Sequence, residues 1–222
     1  MAKSDDMTTW QLIHRERTSM ANTLAALTPE QWAAESLCAG WSVRVMAAHI
    51  VMAAEQTPGH FFTRMAANGF RFNTMMDRDS RQLGTASPDE LVSRLRARLT
   101  TTNHPPAPVM AMLGEIVIHS EDIRYPLGIA SDLDPEAVRR CLDMYTKANF
   151  PVGGKKRIAG LRLSAPDLGW SYGEGPEVSG PGISLALAMT GRSAVLPELA
   201  GDGLPTFSSR FPRPATAGAA AG

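Results

Sequence analysis

The chain has 222 residues, 22 of them basic and 22 acidic, so its formal net charge is zero. That balance argues against a nucleic-acid binder held by bulk positive charge, which needs a basic excess. Apolar residues make up 44 %, enough to fold around a core rather than stay disordered, and the length suits one medium domain or one domain with a small appendage.

Two cysteines, Cys38 and Cys141, are too few for a disulfide scaffold, and no CxxC occurs. Residues 1–7 carry Lys3, Asp5 and Asp6 without an apolar stretch, so they do not read as a signal peptide. The longest nearly apolar run, residues 45–54, is interrupted by His49 and is too short to span a bilayer. A reducing, cytoplasmic setting is expected, with a small-molecule partner and neither nucleic acid nor membrane.

In chain order, Thr8 or Thr9 is positioned to cap a first helix running through Leu12, Arg15, Met20, Leu24 and Ala26. Thr28-Pro29-Glu30 opens a short second helix, with proline at the first helical position. Ser42 caps a third, on which Val45, Ala48, His49, Met52 and Ala53 share a face, and Pro58-Gly59 ends or bends it. Residues 60–80 give mixed signals: Phe61, Phe62, Met65 and Phe72 call for burial, yet Asn68-Gly69 reads as a turn. Ser87-Pro88-Asp89-Glu90 is a strong helix start, followed by the stripe Leu91, Leu95 and Leu99. Pro105, Pro106 and Pro108 break the chain. A further helix runs from about Val109 past His119 and stops before Pro126, and Asp134-Pro135-Glu136 starts another through Val138, Leu142 and Tyr145.

The texture changes near residue 150. Residues 151–157, with the basic trio Lys155, Lys156 and Arg157, read as a connector. Ile158, Leu161 and Leu163 have strand-like spacing, and residues 170–172 and 176–178 form further short strands between glycines. Residues 183–189 make an apolar helical segment that Gly191 closes. The expected fold is mainly α: a bundle of four or more helices over residues 1–150, a small α+β domain over 151–207, and a disordered Pro/Ala/Gly-rich tail over 208–222. No 20–50-residue repeat is visible.

The chemistry concentrates in residues 114–124. Glu115 and His119 are one helical turn apart and project from one face, with Asp122 on that face a turn further on. A carboxylate and an imidazole presented together suit a metal ion, and a catalytic zinc typically takes three protein ligands and keeps one position open. On spacing alone, an ordinary hydrogen-bonded helix pair is the better explanation of Glu115 and His119, because such i, i+4 pairs are common. His49, the lone titratable group on its face, is taken alone an ordinary core histidine. Bundle cores do build metal sites from facing helices in this way, but spacing does not establish that these two helices face each other.

Other candidates are weaker. Cys38 and Cys141 read as structural thiols, and His14, His60 and His104 have no partner at metal spacing. Gly173-Glu-Gly175 fails the dinucleotide fingerprint, Gly153-Gly-Lys155 lacks the rest of a phosphate loop, and no GxSxG elbow occurs.

Three stretches together carry a resemblance. Leu27-Thr-Pro-Glu-Gln-Trp32, Ser36-Leu-Cys-Ala-Gly-Trp-Ser-Val-Arg44 and Ala48-His49 resemble the opening of the DinB-like mycothiol-dependent maleylpyruvate isomerase family. Gly114-Glu115 through His119, Asp122-Ile-Arg124 and Pro126-Leu-Gly128 resemble its second motif. Gly180-Pro-Gly182, residues 185–188, Gly191-Arg192 and Gly201-Asp-Gly203 resemble its C-terminal domain, so the likeness spans roughly residues 8–205.

The resemblance implies a DinB-like four-helix bundle joined to a small domain similar to sterol-carrier modules. It implies a divalent metal, zinc in the isomerase, on His49, Glu115 and His119, and mycothiol as the thiol cosubstrate. It also implies a C-terminal-domain arginine, best matched by Arg192, acting as a cationic clamp for substrate carboxylates. The Arg124-Tyr125-Pro126 stretch departs from the family's more usual arginine pair before the proline. Asp122 is placed to steer His119 or a bound water, or to serve as a helix-end acceptor. A metal with an open position stabilises a thiolate, the nucleophilic form. An isomerase would add that thiolate to a double bond and expel it after rotation, whereas an S-transferase would keep the thioether. A metal hydrolase using bound water, and a non-catalytic ligand-binding module, are the alternatives; a monomer or a homodimer fits either way.

Overall fold

The structure is a computed structural model that describes residues 2–149 and 152–212. Residues 213–222 of the predicted tail, and Pro151 at the head of the predicted connector, lie outside the described residues. The chain divides into two compact units, Met1–Cys141 and Leu142–Gly222.

The first unit is built from helices whose starts follow local capping chemistry. α1 (Ala2–Ala25) begins earlier than Thr8 or Thr9 suggested. The Thr9 hydroxyl donates to the Asp5 carbonyl one turn back, 2.9 Å away, so Thr9 sits inside a helix instead of capping one. α2 (Pro29–Ala33) has a full capping box, with the Thr28 hydroxyl accepting from the Gln31 amide and the Gln31 side chain accepting from the Thr28 amide. α3 (Val43–Glu55) is capped by Ser42 as expected. Pro58 does not merely end α3: it opens α4 (Pro58–Ala67), which Thr57 caps. The Asn68-Gly69 turn leads into α5 (Phe72–Leu83), with Gly69 and Phe70 both at positive φ. α6 (Pro88–Arg96) takes its cap from Ser87, α7 spans Val109–Arg124 and α8 spans Pro135–Tyr145.

Four of these helices close a ring: α1 packs on α6 and α7, and α3 packs on the same two. Their shared interior holds Met20 and Leu24, Met46 and Val51, Leu91 and Leu95, and Leu113 and Val117, all buried. α2 and α5 lie against α3, and α4 lies against α5. α7 is apolar around most of its circumference, as a helix surrounded by others must be. One polar knot ties its end to α1. Arg124 is fully buried and donates to Ser19 Oγ (2.5 Å) and Thr23 Oγ1 (3.1 Å), and it pairs with Glu121 (3.3 Å) and Asp132 (3.0 Å).

In the second unit the basic trio of the predicted connector is helical, as α9 (Gly154–Arg157). β1 (Arg162–Ala165) starts later than the spacing of Ile158 suggested. β2 (Trp170–Tyr172) and β3 (Glu177–Ser179) fall at the predicted strands. The order is β2-β1-β3, with β1 antiparallel to β2 (Leu163 opposite Tyr172) and parallel to β3 (Leu163 opposite Val178). α10 (Gly182–Met189) covers β1, and the Asp167 carboxylate accepts from the Gly182 amide at its start (3.0 Å). Gly201 sits at φ +110° with its α-carbon so close to the Glu177 carbonyl that a Cβ has no room. α11 (Leu204–Ser208) follows, and Phe211 packs edge-on against Phe207, so ordered packing continues past residue 208. The fold is thus mainly α, a four-helix bundle followed by a small α+β unit. Among the described residues no helix is long and apolar enough to cross a membrane.

Leu113 lies at the centre of the ring, fully buried on α7. Leu113→Ala is expected to cost about 2–5 kcal/mol through lost transfer free energy and the cavity left behind, read as a lower midpoint in chemical denaturation with an unchanged slope.

Candidate metal centre

The ring places α3 against α7, and this brings together residues 66 positions apart. His49 Nε2 lies 3.1 Å from Glu115 Oε2, and His119 Nε2 lies 3.4 Å from the same oxygen. The two imidazoles stand nearly perpendicular, 88° apart, with centroids separated by 4.8 Å. Both therefore turn the same nitrogen toward one carboxylate. The facing of the two helices, which spacing left open, is what the structure shows.

The opposite ring nitrogens are anchored. His119 Nδ1–H donates to the Asp122 carboxylate at 2.8 Å, and Asp122 is fully buried. His49 Nδ1 is 3.2 Å from the Ser80 hydroxyl, which accepts or donates according to the tautomer. Trp41 packs at 5.3 Å from the His49 ring and donates its indole N–H to Asp77 (2.8 Å). Ser80 and Asp77 both come from α5, the segment with mixed sequence signals, and no sequence feature marks Ser80 as an anchor for His49.

Charge keeps the cluster together. Withdrawal from water alone would raise the Glu115 carboxyl. The His119 imidazolium, together with hydrogen bonds from His119 and His49, outweighs this and holds it well below the usual carboxylate range. Burial alone would lower His119, but the Glu115 carboxylate and the bond to Asp122 raise it to about 9. The cluster is not sealed: Glu115 keeps 37 % of its side chain exposed against 7 % for His49, so access is from the Glu115 side.

The three residues fit a metal ion. One donor atom from each lies within 4.8 Å of the other two. Ligands about 2.0–2.1 Å from a tetrahedral zinc stand about 3.3 Å apart, close to two of the separations already present. Imidazoles held by their far nitrogens, one of them on a carboxylate, are the usual support for such ligands.

Arg192 lies in the second unit just after α10, where its guanidinium donates to the Thr190 carbonyl (3.1 Å) and its charge adds to burial in lowering the pKa of Arg157. Cys141 is buried, and burial together with the charge of Glu16 pushes its thiol up, which suits a structural role. His104 Nδ1 bonds the Pro105 carbonyl (2.7 Å), and burial lowers His14. Beside α3 and α5 a cavity of about 430 Å³ includes Met52, Gln56, His60 and Gln82 in its lining. Its two arginines are already paired, Arg94 with Glu55 (2.6 Å) and Arg64 with the buried Asp79 (2.7 Å).

In chelator-treated protein the raised His119 value makes a signed prediction. A group whose folded pKa lies above its ordinary 6.5 contributes stability that is complete below pH 6.5 and lost as pH rises through about 9. The stability difference between wild type and His119→Gln, measured by urea unfolding, is therefore expected to be largest near pH 6 and to shrink steadily by pH 10. A difference that stays flat over that span contradicts the charge pairing.

With this geometry in view, comparisons with known proteins place the chain. Residues 13–104 match the family described as the mycothiol maleylpyruvate isomerase N-terminal domain. No curated protein matches the sequence. Among solved structures, the crystal structure of a mutant of the mycothiol-dependent maleylpyruvate isomerase superposes with a TM-score of 0.62 at 16 % identity, covering 89 % of this chain and 92 % of that one. The crystal structure of the same enzyme without that mutation gives 0.61 at the same identity and coverage. Residues 13–104 are thus similar to the N-terminal domain of the mycothiol maleylpyruvate isomerase family.

Proposed function

We propose that this chain is a metal-dependent enzyme that uses a low-molecular-weight thiol, mycothiol, to isomerise a small electrophilic acid or to transfer sulfur to it. The observation that carries the reading is the pair of imidazoles turning Nε2 toward one Glu115 oxygen while each Nδ1 is held from behind. The identity of the thiol is supported by the family matched over residues 13–104 and by the enzyme whose crystal structures share the fold.

In this reading His49, Glu115 and His119 hold a divalent metal, and their two nitrogens and one oxygen suit zinc. When bound, the metal would supply the positive charge that favours the thiolate of a thiol at neutral pH. The chain's own residues do the rest. Asp122 keeps a proton on His119 Nδ1, so that Nε2 faces the site as a donor atom. Ser80 Oγ, when it accepts from His49 Nδ1–H, would do the same for His49. Arg192 is assigned as the cationic clamp for a substrate carboxylate. Isomerisation requires a sulfur–carbon bond to form at a double bond, rotation about the resulting single bond, and departure of the same sulfur with return of the electron pair to the double bond. In S-transfer the new bond is retained and the adjacent carbon is protonated.

Purified protein is expected to contain one zinc per chain, lost in His49→Ala and in His119→Ala, and to bind mycothiol by calorimetry only when loaded. Metal-free wild type prepared with care would overturn the site, while a loaded protein indifferent to mycothiol would favour a hydrolase. Ser80→Ala should retain the fold but bind zinc about 10–100-fold more weakly, measured by competition with a chromogenic chelator.

A further inference from the structure

The chain turns from α3 into α4 at Gln56 and Thr57, and the turn leaves Gln56 inside. Gln56 is 4 % exposed and lines the cavity beside α3 and α5. Among the described residues no side chain or carbonyl bonds its side-chain amide. A buried amide without a partner costs free energy, because it has given up water and gained nothing in return. A partner for it has to come from within the cavity, whose volume of about 430 Å³ falls in the range of about 300–1,000 Å³ usual for small-molecule sites. None of His49, Glu115 and His119 lines this cavity, so it is separate from the candidate metal centre.

Two arginines stand in the cavity wall, and both are fixed by their edges. Arg94 donates from Nε and Nη2 to the two oxygens of Glu55 (3.1 and 2.6 Å). Arg64 donates from Nε to Asp79 (2.9 Å), with Nη2 2.7 Å from the same oxygen. The other Asp79 oxygen is taken by Arg78 (3.2 Å). A carboxylate or phosphate ligand reads the guanidinium edge. Here it would have to displace Glu55 or Asp79 and then remain beside the carboxylate it displaced, so an anion is disfavoured. A cation finds Glu55 and Asp79 already answered. What the arginines still offer is their flat faces, on which aromatic rings stack. Among the described residues the guanidinium groups that meet a ring are those of Arg17 and Arg157, so the faces of Arg64 and Arg94 carry none. Arg94 is the better platform, because the two-point grip of Glu55 holds its plane still. Met52 and Leu83 add apolar surface, and a thioether packs well against the edge of an aromatic ring.

A glutamine amide presents a donor and an acceptor side by side, the pattern that meets the amino donor and ring-nitrogen acceptor of adenine in one plane. We infer that this cavity is a binding site for an uncharged planar heterocycle of the nucleobase kind, its donor–acceptor edge on the Gln56 amide and its face on the Arg94 guanidinium. The ring is uncharged because the charges of the arginines are spent on Glu55 and Asp79. It is flat because what remains free on Arg94 is a plane, and it carries both a donor and an acceptor because Gln56 offers both halves of an amide. The site stands apart from the proposed activity and does not depend on that reading.

The test uses adenine, N,N-dimethyladenine, whose amino group has lost its donor hydrogens, and inorganic phosphate as probes. Calorimetry with the full chain is expected to give binding of adenine, binding of the dimethyl compound weaker by about tenfold or more, and no competition from phosphate. In Q56L, which keeps the bulk of the side chain and loses the amide, adenine affinity should fall by about tenfold or more with the circular dichroism spectrum unchanged. In wild type carrying ¹⁵N-labelled arginine, the Arg94 Nε–H resonance, assigned by its loss in R94K, should shift on adenine addition through the ring current of a base on its face, and stay still with phosphate. A folded Q56L that binds adenine as wild type does overturns the proposal. So does equal binding of the dimethyl compound, an Arg94 resonance unmoved at high adenine, competition by phosphate, or a wild type that binds no adenine. If either variant does not fold, the two adenines compared on wild type decide. Failure of zinc or of mycothiol to bind counts against the proposed activity and leaves these adenine results as they are.

Discussion

A carboxylate set between two imidazoles within a helical bundle must have its charge answered, or the bundle would expel or protonate it. That demand organises the first unit. Glu115 is answered from its own helix by His119 and from across the interface by His49. Each answer needs its own support, from Asp122 in one case and Ser80 in the other. Four of these five polar groups come from the interface between α3 and α7, and they are tolerated there because the rest of both helices is packed apolar surface. The cost of removing ions from water is met within the cluster rather than by the surroundings.

Much of this was legible in the sequence because it rests on short-range rules. Ser42, Thr28 and Ser87 announce helix starts through capping, which depends on residues three apart. Glu115, His119 and Asp122 share a face by helical period alone. His49 stood out as a titratable group in an apolar stripe. What spacing left open, the facing of α3 and α7, is a tertiary fact carried by packing, and only the family resemblance spoke to it.

The rest was hidden for identifiable reasons. α4 buries no residue fully, and α5 buries one apolar side chain, Met75, beside the polar Asp79 and Ser80. A helix that packs through polar groups leaves little hydrophobic period to read. Thr9 looked like a cap because the competing acceptor, the Asp5 carbonyl, exists only once the helix is extended past it. Gln56 carried no signal either, since a glutamine at a helix end is ordinarily solvated and only the fold shows that this one is not. In the second unit Ile158 and Leu161 are buried outside any strand, so apolar spacing pointed to a strand a few residues too early.

The Ser80 contact has a consequence for motion. α5 stands outside the four-helix ring and is attached to it mainly through α3, with only the largely unburied α4 behind it. Local opening of such a peripheral hairpin requires less free energy than opening the ring. Every such excursion takes Ser80 away from His49 and lets the imidazole turn about its own bonds. The orientation of the His49 ring is thereby tied to a helix outside the trio, through the contact of Ser80 with Nδ1.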